Sequence, residues 1–554
     1  MKTVILFSFC FFCISIYSFC QNYSVQSSEE MKISRRSSAP QIIGSDETGL
    51  YFTTFRTKRK YMTTDYYDKI YSIVKFDYKY KQLYDYEYES NLKGSEVYDI
   101  QLIKGSLYLF SYLHDRKGEK FSVFSSLINK ENGKLSGELK EIGNFLLDSK
   151  DSYPLLTIYP GPDSSGIILT LSSSFGKKEK INIKTFDLNL NETNNTTIVS
   201  QSERELHFVY QVVPVKKDPV LVAETNYEYV QTGKKKKSVY KDFTLTAYKP
   251  SGEKLYSLIL DTENRYTLSG RGLINNKELI MSGLYSTNRD SKEINGVFIN
   301  KYDIQQGKLL SSSYQTLSPD ILKRVSDKTG GNLKSELETE DAGLSNQFRV
   351  KNILINPKTN TPLLIAEFFS VSNYSTSSTF NGKIEYDTYF RFTNAELLLI
   401  ETNEKYEISR ITSLPKKQIE RFRLGGFYGS IASSTTGVST ILSGRSLDFY
   451  SSFSSFIHKD KLMLIMNDHP ANTGVKRQGD NARITDDLST SSTFVLTYDF
   501  STGLFTRKSL FNNSGQPIPL TKEAMLLGNE LFLYATIPHL LGKSDFKIIK
   551  ITIK

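Results

Sequence analysis

The stretch IHKDKLMLIMNDHPAN, residues 457–472, brings together side chains that could do chemistry. It holds two of the five histidines, His458 and His469, and Asp468 directly precedes His469. A carboxylate beside a histidine could orient a general base, with a serine from another part of the chain as nucleophile. Asn and Asp also cap turns through their own side chains, and Pro470 would end a strand. A strand that runs into a turn is therefore the second interpretation.

The two histidines cannot share a metal ion if the strand between them is intact. Zinc ligands lie within about 2.0 to 2.3 Å of the ion, whereas a strand rises about 3.3 Å per residue. His458 and His469 stand at opposite ends of one apolar run. The chain also has no HExxH motif, Walker loop, nucleophile elbow or calcium-loop aspartate run. The sequence therefore predicts neither a metal site nor a cofactor.

Three other stretches offer binding side chains. The basic runs RTKRK at 56–60 and KKKK at 234–237 each lead from one hairpin to the next, so we expect solvated loop tips that could bind a polyanion. The stretch GGFYGSI at 425–431 could stack a sugar on its aromatic rings, or pack as a loop on its neighbours. The binding candidates are Arg56, Lys58, Arg59, Lys60, Phe427 and Tyr428.

The elements that would position these residues are strands. Aromatic and β-branched residues recur in short alternating runs, as in FDYKYKQLYDYEY at 76–88. Alternation of this kind is typical of strands with one apolar face and one solvated face. We therefore expect an all-β protein.

The strands repeat as hairpins. An apolar strand, a polar turn and a second apolar strand recur in eight places: residues 40–55, 98–112, 155–172, 208–225, 268–285, 350–369, 454–468 and 520–537. Between copies lies a second hairpin, whose turn carries residues such as Asp77, Asp187, Asp303 and Asp499. Two hairpins make a four-stranded antiparallel unit, and radial repetition of such units is a β-propeller. We predict eight blades, with seven blades or two smaller domains as alternatives.

The eighth unit lacks a strand. After its first hairpin only SDFKIIKITIK remains, so the segment around residues 31–37 is expected to supply the outer strand and close the ring. The longest insertion, 318–343, contains Ser318 as a helix cap and Pro319 as a first helical residue, which predicts a short helix over 319–327.

The first twenty residues, MKTVILFSFCFFCISIYSFC, have the form of a secretory signal peptide. Small residues favour cleavage between Cys20 and Gln21; acylation of Cys20, as in a lipoprotein, is the alternative. Cleavage would remove all 3 cysteines and leave 21–554 as a propeller domain without disulfides. We expect a periplasmic, outer-membrane-associated or extracellular protein, because no later segment has the ~20 apolar residues of a membrane span.

Several stretches of the second half resemble a known group of proteins. They include FRVKNILINPKTNTPLLIAEFFSV (348–371), TYFRFTNAELLLIETNEKYEISRITSLPKKQ (388–418) and FIHKDKLMLIMNDHPAN (456–472), within a region of similar order over 283–472. The resemblance is to uncharacterised, secreted, propeller-like proteins common in Bacteroidota. It implies export and β architecture, and it transfers no catalytic residue.

The sequence favours a non-enzymatic binding or scaffold module of the cell envelope, with an unknown protein or glycan as partner. The net charge of +10 is compatible with acidic partners, although the basic residues are spread along the chain. The alternative is a glycan hydrolase or lyase on the same scaffold, with carboxylates about 5 to 9.5 Å apart for hydrolysis. A subunit of an envelope complex is a third hypothesis. Nucleic acid is not an expected partner, since no motif of that class is present.

Overall fold

In the structure, a computed structural model, most of the described residues belong to strands. It describes residues 23–33, 41–59, 67–88, 94–149, 153–161, 164–175, 178–201, 205–214, 220–233, 235–249, 251–260, 264–275, 277–289, 293–319, 321, 344–345, 348–380, 383–424, 450–475, 480–537 and 544–554. No helix in this part of the chain is long and apolar enough to cross a membrane.

Seven blades are formed by consecutive stretches of chain. Blade 1 contains β3 Gln41–Asp46, β4 Gly49–Arg59, β5 Tyr67–Phe76 and β6 Gln82–Glu87. Blade 2 contains β7 Glu96–Ile103, β8 Ser106–Asp115, β9 Lys120–Ile128 and β10 Lys140–Leu146. Blade 3 contains β11 Tyr153–Pro160, β12 Ile167–Phe175, β13 Lys178–Phe186 and β14 Glu192–Gln201. Blade 4 contains β15 Glu205–Pro214, β16 Val220–Thr232, β17 Lys235–Tyr248 and β18 Lys254–Ile259.

The later blades follow the same order. Blade 5 contains β19 Tyr266–Asn275, β20 Glu278–Ser286, β22 Gly296–Asp303 and β23 Lys308–Thr316. Two short strands, β21 Glu293–Ile294 and β24 Leu344–Ser345, pair outside the blades. Blade 6 contains β25 Phe348–Asn356, β26 Thr361–Phe380, β27 Lys383–Thr402 and β28 Ile408–Leu424. Blade 7 contains β29 Phe453–His458, β30 Lys461–Asp468, β31 Ser492–Asp499 and β32 Leu504–Asn512. Short 3-10 helices span Pro470–Gly474, Leu488–Thr490 and Thr521–Glu523.

The eighth blade joins the two ends of the chain. It contains β33 Ile518–Pro519, β34 Met525–Leu527, β35 Glu530–Ile537, β36 Ser544–Ile553, and on the outside β1 Tyr23–Ser27 and β2 Met31–Ile33. Both N-terminal strands are antiparallel to β36, from Tyr23 opposite Ile553 to Ile33 opposite Ser544. Residues 23–33, called here the closing segment, therefore fill the outer position of this blade.

Apolar clusters hold the blades in a ring. Within the described residues, each of the eight interfaces between neighbouring blades contains one such cluster. The cluster between blades 8 and 1, for example, packs Phe52 against Phe532 and Ile548. First strands of adjacent blades also contact one another, as β3 with β7, β19 with β25 and β25 with β29, which places these strands innermost. The predicted eight-bladed propeller is confirmed, and the alternatives of seven blades or two smaller domains are wrong.

The turns between third and fourth strands are fixed by their own side chains. In the β5–β6 turn, the carboxylate of Asp77 accepts hydrogen bonds from the backbone N–H of Lys79 at 2.9 Å and of Lys81 at 2.8 Å. The same bond to the N–H two residues later is made by Asp187, Asp303 and Asp499. These carboxylates act as turn residues, as their repetition in the sequence indicates.

Antiparallel order also defines two ends of the ring. The turns between second and third strands, such as 380–383 in blade 6 and 468–492 in blade 7, lie at the same end as the connections between blades. We call this end the upper face. The insertion at 318–343 also connects two blades here. Of the helix expected over 319–327, only Pro319 and Ile321 are described; both are helical, and the hydroxyl of Ser318 accepts from the N–H of Ile321 at 3.4 Å.

The closing segment gives a test of the ring. Ser28 is buried; its N–H donates to the carbonyl of Ile548 at 2.9 Å, and its hydroxyl accepts from the N–H of Ile548 at 3.0 Å. Ser28→Val replaces the hydroxyl with two methyl groups, which leaves the N–H of Ile548 without its acceptor and adds volume at a buried site, so we expect a loss of at least about 1 to 3 kcal/mol in the free energy of unfolding. Denaturant unfolding measures it.

The neighbouring Ser27 is exposed and provides the matched control. Ser27→Val should change the free energy of unfolding by less than about 0.5 kcal/mol. Equal stability of the two variants would show that the closing segment does not hold the ring. Deletion of residues 22–38 should lower the melting temperature further than Ser28→Val.

Candidate functional site

The β29–β30 hairpin keeps the two histidines of the 457–472 stretch apart. His458 ends β29 and is buried, and His469 follows the last residue of β30, which is an intact strand of 8 residues. Burial lowers the pKa of the His458 imidazole below its ordinary value. Among the described residues, no three His, Cys, Asp or Glu side chains come together as metal ligands would. The expected strand and turn are both present.

Asp468 is committed to neighbours other than the His469 imidazole. Its carboxylate is fully buried, and Oδ1 accepts from the backbone N–H of His469 at 2.8 Å, from Asn472 Nδ2 at 2.8 Å and from Thr485 Oγ1 at 2.9 Å. Its Oδ2 forms an ion pair with the guanidinium of Arg507, which is also buried. The carboxylate therefore ties the turn after β30 to β32.

His469 caps the short helix that follows. Its Nδ1 accepts from the N–H of Ala471 at 3.1 Å, and Pro470 occupies the first helical turn. A nitrogen that accepts a backbone N–H in this way serves as a cap. His469 therefore acts as a cap, and Asp468 joins this turn to Thr485 and Arg507.

A second buried ion pair lies between blades 6 and 7. Glu367 in β26 and Lys416 in β28 contact each other, and neither side chain has any solvent exposure. Lys351 approaches Glu367 Oε2 at 3.1 Å, and the Ser452 hydroxyl donates to the same oxygen at 2.7 Å. Lys416 also donates to Gln418 Oε1 at 2.8 Å. The charges are thus matched and hydrogen-bonded, as burial of ions requires.

Asn467 connects this pair to blade 8. Gln418 Nε2 donates to the carbonyl of Asn467, and Asn467 Nδ2 donates to the carbonyl of Pro519 at 2.7 Å. The Thr493 hydroxyl donates to Asn467 Oδ1 at 2.9 Å. Blades 6, 7 and 8 therefore share one polar network, here called the buried network: Glu367, Lys416, Gln418, Ser452, Asn467, Asp468, Thr485, Thr493 and Arg507.

The electrostatics of the pair are those of a structural contact. Burial alone would raise the pKa of the Glu367 carboxyl, but Lys416, Lys351 and the Ser452 hydroxyl outweigh it and hold that pKa below its ordinary value of 4.5. The carboxylate is therefore ionised at neutral pH. Because Glu367, Lys416, Asp468 and Arg507 are all buried, their charges are available to one another rather than to a ligand.

Sequence reasoning did not single out the buried network, although a signal was present. In LLIAEFF, Glu367 falls at a position where the alternation requires an apolar residue beside Leu363 and Ile365, which point into the cluster between blades 6 and 7. Lys416 and Arg507 likewise lie in buried positions of their strands. A charge at a core position of a strand indicates a buried partner, but its identity depends on the next blade.

Blade 6 is extended beyond the ring. β26 and β27 have 20 residues each, whereas the corresponding strands of blade 7, β30 and β31, have 8 each. Pairing of β26 with the inner strand β25 ends at Phe368, while β26 continues beside β27 to Phe380. β28 accompanies β27 as far as Leu424. Residues 369–380, 383–394 and 418–424, here called the blade 6 extension, thus rise from the upper face.

The outer edge of the extension is partly covered at its base. The N–H of Ile419 donates to the carbonyl of Thr485 at 2.8 Å, and the N–H of Thr485 donates to the carbonyl of Lys417 at 2.8 Å. Thr485 belongs to the connection between β30 and β31 of blade 7, and its hydroxyl also bonds Asp468. The buried network therefore anchors the base of the blade 6 extension.

The binding candidates named from the sequence lie in different settings. Arg56, Lys58 and Arg59 belong to β4, whose pairing with β5 continues to Arg59 opposite Tyr67, so they lie in a strand and the expected loop tip is wrong for them. Lys235, Lys236 and Lys237 likewise belong to β17. The remaining candidates lie outside the described residues: Lys60, Phe427, Tyr428 and, at the predicted signal cleavage point, Cys20 and Gln21.

The buried ion pair predicts a pH-dependent stability. Glu367→Gln removes the charge that compensates Lys416, so we expect a loss of about 3 kcal/mol in the free energy of unfolding at pH 7. Because the carboxyl has a lower pKa folded than unfolded, its contribution is complete above about pH 4.5 and is lost as the pH falls through the folded pKa. The difference between variant and wild type should therefore shrink below pH 4.5. Urea unfolding across this range measures it.

Glu404, exposed in the β27–β28 turn, provides the control. Glu404→Gln should leave the free energy of unfolding within about 0.5 kcal/mol at every pH. A Glu367→Gln penalty that stays constant from pH 7 to pH 3.5 would show that the ion pair is not its source.

Comparisons with known proteins support no functional assignment. Neither the protein-family models nor the curated proteins give a match. Among solved structures, the chain is similar to the polysaccharide lyase Uly1, with 8% identity and a TM-score of 0.37 over 93% of this chain and 90% of that chain. It is also similar to a mutant of the Synechocystis apocarotenoid oxygenase, with 8% identity and a TM-score of 0.30 over 94% of this chain and 93% of that chain. A protein of unknown function from Dyadobacter fermentans has 11% identity and a TM-score of 0.30 over 62% of this chain and 94% of that chain.

Proposed function

We propose that the protein is an exported β-propeller that binds a protein or glycan of the cell envelope without turning it over, and that the upper face is its binding surface. One observation carries this proposal: the blade 6 extension, a sheet of three strands that rises beyond the ring. Export is inferred from the form of residues 1–20 and from the resemblance of residues 283–472 to secreted proteins.

The blade 6 extension is not needed to complete the ring. Beyond Phe368, β26 has no pairing with β25, so this part of the sheet adds no inner strand to the blade. An ordered sheet costs conformational entropy, which the burial of Phe390 and Phe392 offsets in part although these residues add no inner strand to the ring. Projecting segments on a rigid scaffold are where binding surfaces are commonly placed.

The extension also offers two kinds of binding surface. The edge of β26 after Phe368 presents backbone groups to which a partner strand could add. Its sheet face between Tyr389 and Arg421 presents side chains to a ligand that lies flat. Both surfaces favour binding over catalysis, because the charged side chains buried below them are paired with each other and do not face a ligand.

The proposal is tested by shortening the extension in register. Removal of 375–378 together with 385–388 keeps the cross-strand pairing and the alternation, because these residues pair with each other. The tagged variant should recover the envelope partner of the wild-type protein at a yield reduced at least about tenfold, while its melting temperature stays within about 2 °C because the cut lies outside the ring. Quantitative pull-down and thermal unfolding measure both.

The outcomes separate the hypotheses. Recovery of the same partner by both forms would place the binding surface elsewhere. Release of shorter oligosaccharides from envelope glycans by the wild-type protein would instead establish the alternative, a glycan hydrolase or lyase on the propeller scaffold.

A further inference from the structure

One face of the blade 6 extension carries a pair of arginines. Arg391 in β27 lies directly opposite Arg421 in β28, and both side chains are exposed. The alternation of β27 assigns this face, since the flanking Phe390 and Phe392 are buried with 1% and 5% exposure. Among the residues that the structure describes, no ion pair or hydrogen bond joins either guanidinium to a neighbour.

The arginine pair is electrostatically unfavourable for the fold alone. Like charges directly opposite each other on a sheet destabilise it, and side chains at such positions lie about 4.5 to 5.5 Å apart at Cβ. Acidic residues do occur nearby, but Glu420 lies at the alternate position of β28, opposite Phe392, and accepts hydrogen bonds from Ser451. The nearest acidic positions of β27 in the same alternation are Asp387 and Glu385, four and six residues before Arg391. Because neither guanidinium has an ion pair among the described residues, an anion between the two would relieve the repulsion.

The neighbours of the pair suit a sugar. Tyr389 lies two residues from Arg391 on the same face, and its ring is half-buried. Ser372, exposed in β26, stands directly opposite Arg391. A tyrosine ring offers an apolar surface with a polar edge, which suits stacking against a sugar ring, and a serine hydroxyl can donate or accept.

We infer that the face formed by Tyr389, Arg391 and Arg421 binds an acidic polysaccharide, with the two guanidiniums on its carboxylate or sulfate groups. This inference rests on the proposed binding function and specifies its ligand class. Guanidinium forks match planar oxyanions with two parallel hydrogen bonds, which lysine cannot reproduce. The two guanidiniums stand side by side on neighbouring strands of one sheet face, so a chain with repeated anionic groups can engage both of them.

The test uses the full-length mature protein and three polymers: polygalacturonate for carboxylates, heparin for sulfates and dextran as a neutral chain. Wild-type protein should bind at least one acidic polymer and not dextran, with an affinity that falls as salt is added. The variant R391Q/R421Q should bind at least about tenfold more weakly, because charge-assisted hydrogen bonds are lost. R391K/R421K keeps the charge without the forks and should fall between the two. Affinity electrophoresis and titration calorimetry measure these effects.

The matched control is R116Q/K117Q, which removes the same charge from an exposed turn on the upper face of blade 2. Its affinity for the acidic polymer should stay within about twofold of wild type, because surface charges beyond a Debye length are screened. Equal losses in the two variants would reduce the effect to net charge and overturn the inference. Binding of anionic vesicles but of neither acidic polymer would overturn it in favour of a membrane surface.

Failure of this inference is distinguishable from failure of the proposed function. The shortened extension lacks 375–378 and 385–388 but retains Arg391 and Arg421. A partner recovered by wild type, lost on shortening and unaffected by R391Q/R421Q would keep the proposed function and discard the acidic polysaccharide. No partner and no polymer bound by the wild-type protein would discard both.

Discussion

The requirement that every blade be covered on both faces governs the rest of this structure. A four-stranded blade carries apolar side chains on both of its faces, so a blade at the end of a row would leave one face in water. Closing the row into a ring removes the problem only if the last blade is complete. The C-terminal strand β36 therefore depends on residues from the other end of the chain, and Ser28 bonds to Ile548 at the closure.

The interface between blades 6 and 7 also supports the blade 6 extension, which projects beyond the ring. Its apolar cluster gives way towards the upper face to the buried network. Glu367 and Gln418 lie where the strands leave the ring, and Thr485 of blade 7 bonds to both Asp468 and the edge of β28. Buried ions contribute little net stability, yet their partners and geometry are specific. Here that specificity fixes the base of the extension.

The sequence predicted most of the architecture because the relevant signals are local. Alternation identifies strands, and the eight hairpins reveal the repeat, so eight blades is the first prediction without any tertiary information. Contacts between blades join residues that are far apart in the sequence, so local patterns do not predict them. Nothing near Asp468 in the sequence indicates Arg507 as its partner, and the neighbouring His469 suggested a catalytic pair instead. The basic run at 56–60 predicts a loop tip from its place between two hairpins, whereas β4 continues to Arg59.

The alternation of β27 distinguishes residues that packing explains from a residue that packing does not explain. Along β27, Phe390 and Phe392 are buried, and packing accounts for them. Arg391 lies between them on the opposite face and meets another arginine across the strand pair, an arrangement that packing does not reward. A residue that opposes stability where a threonine would favour it indicates a requirement from outside the chain. Strand pairing sets the separation of this exposed pair, and the buried charges at the base of the extension hold the strands that carry it, which is the geometry on which the inferred binding of an anionic polymer rests.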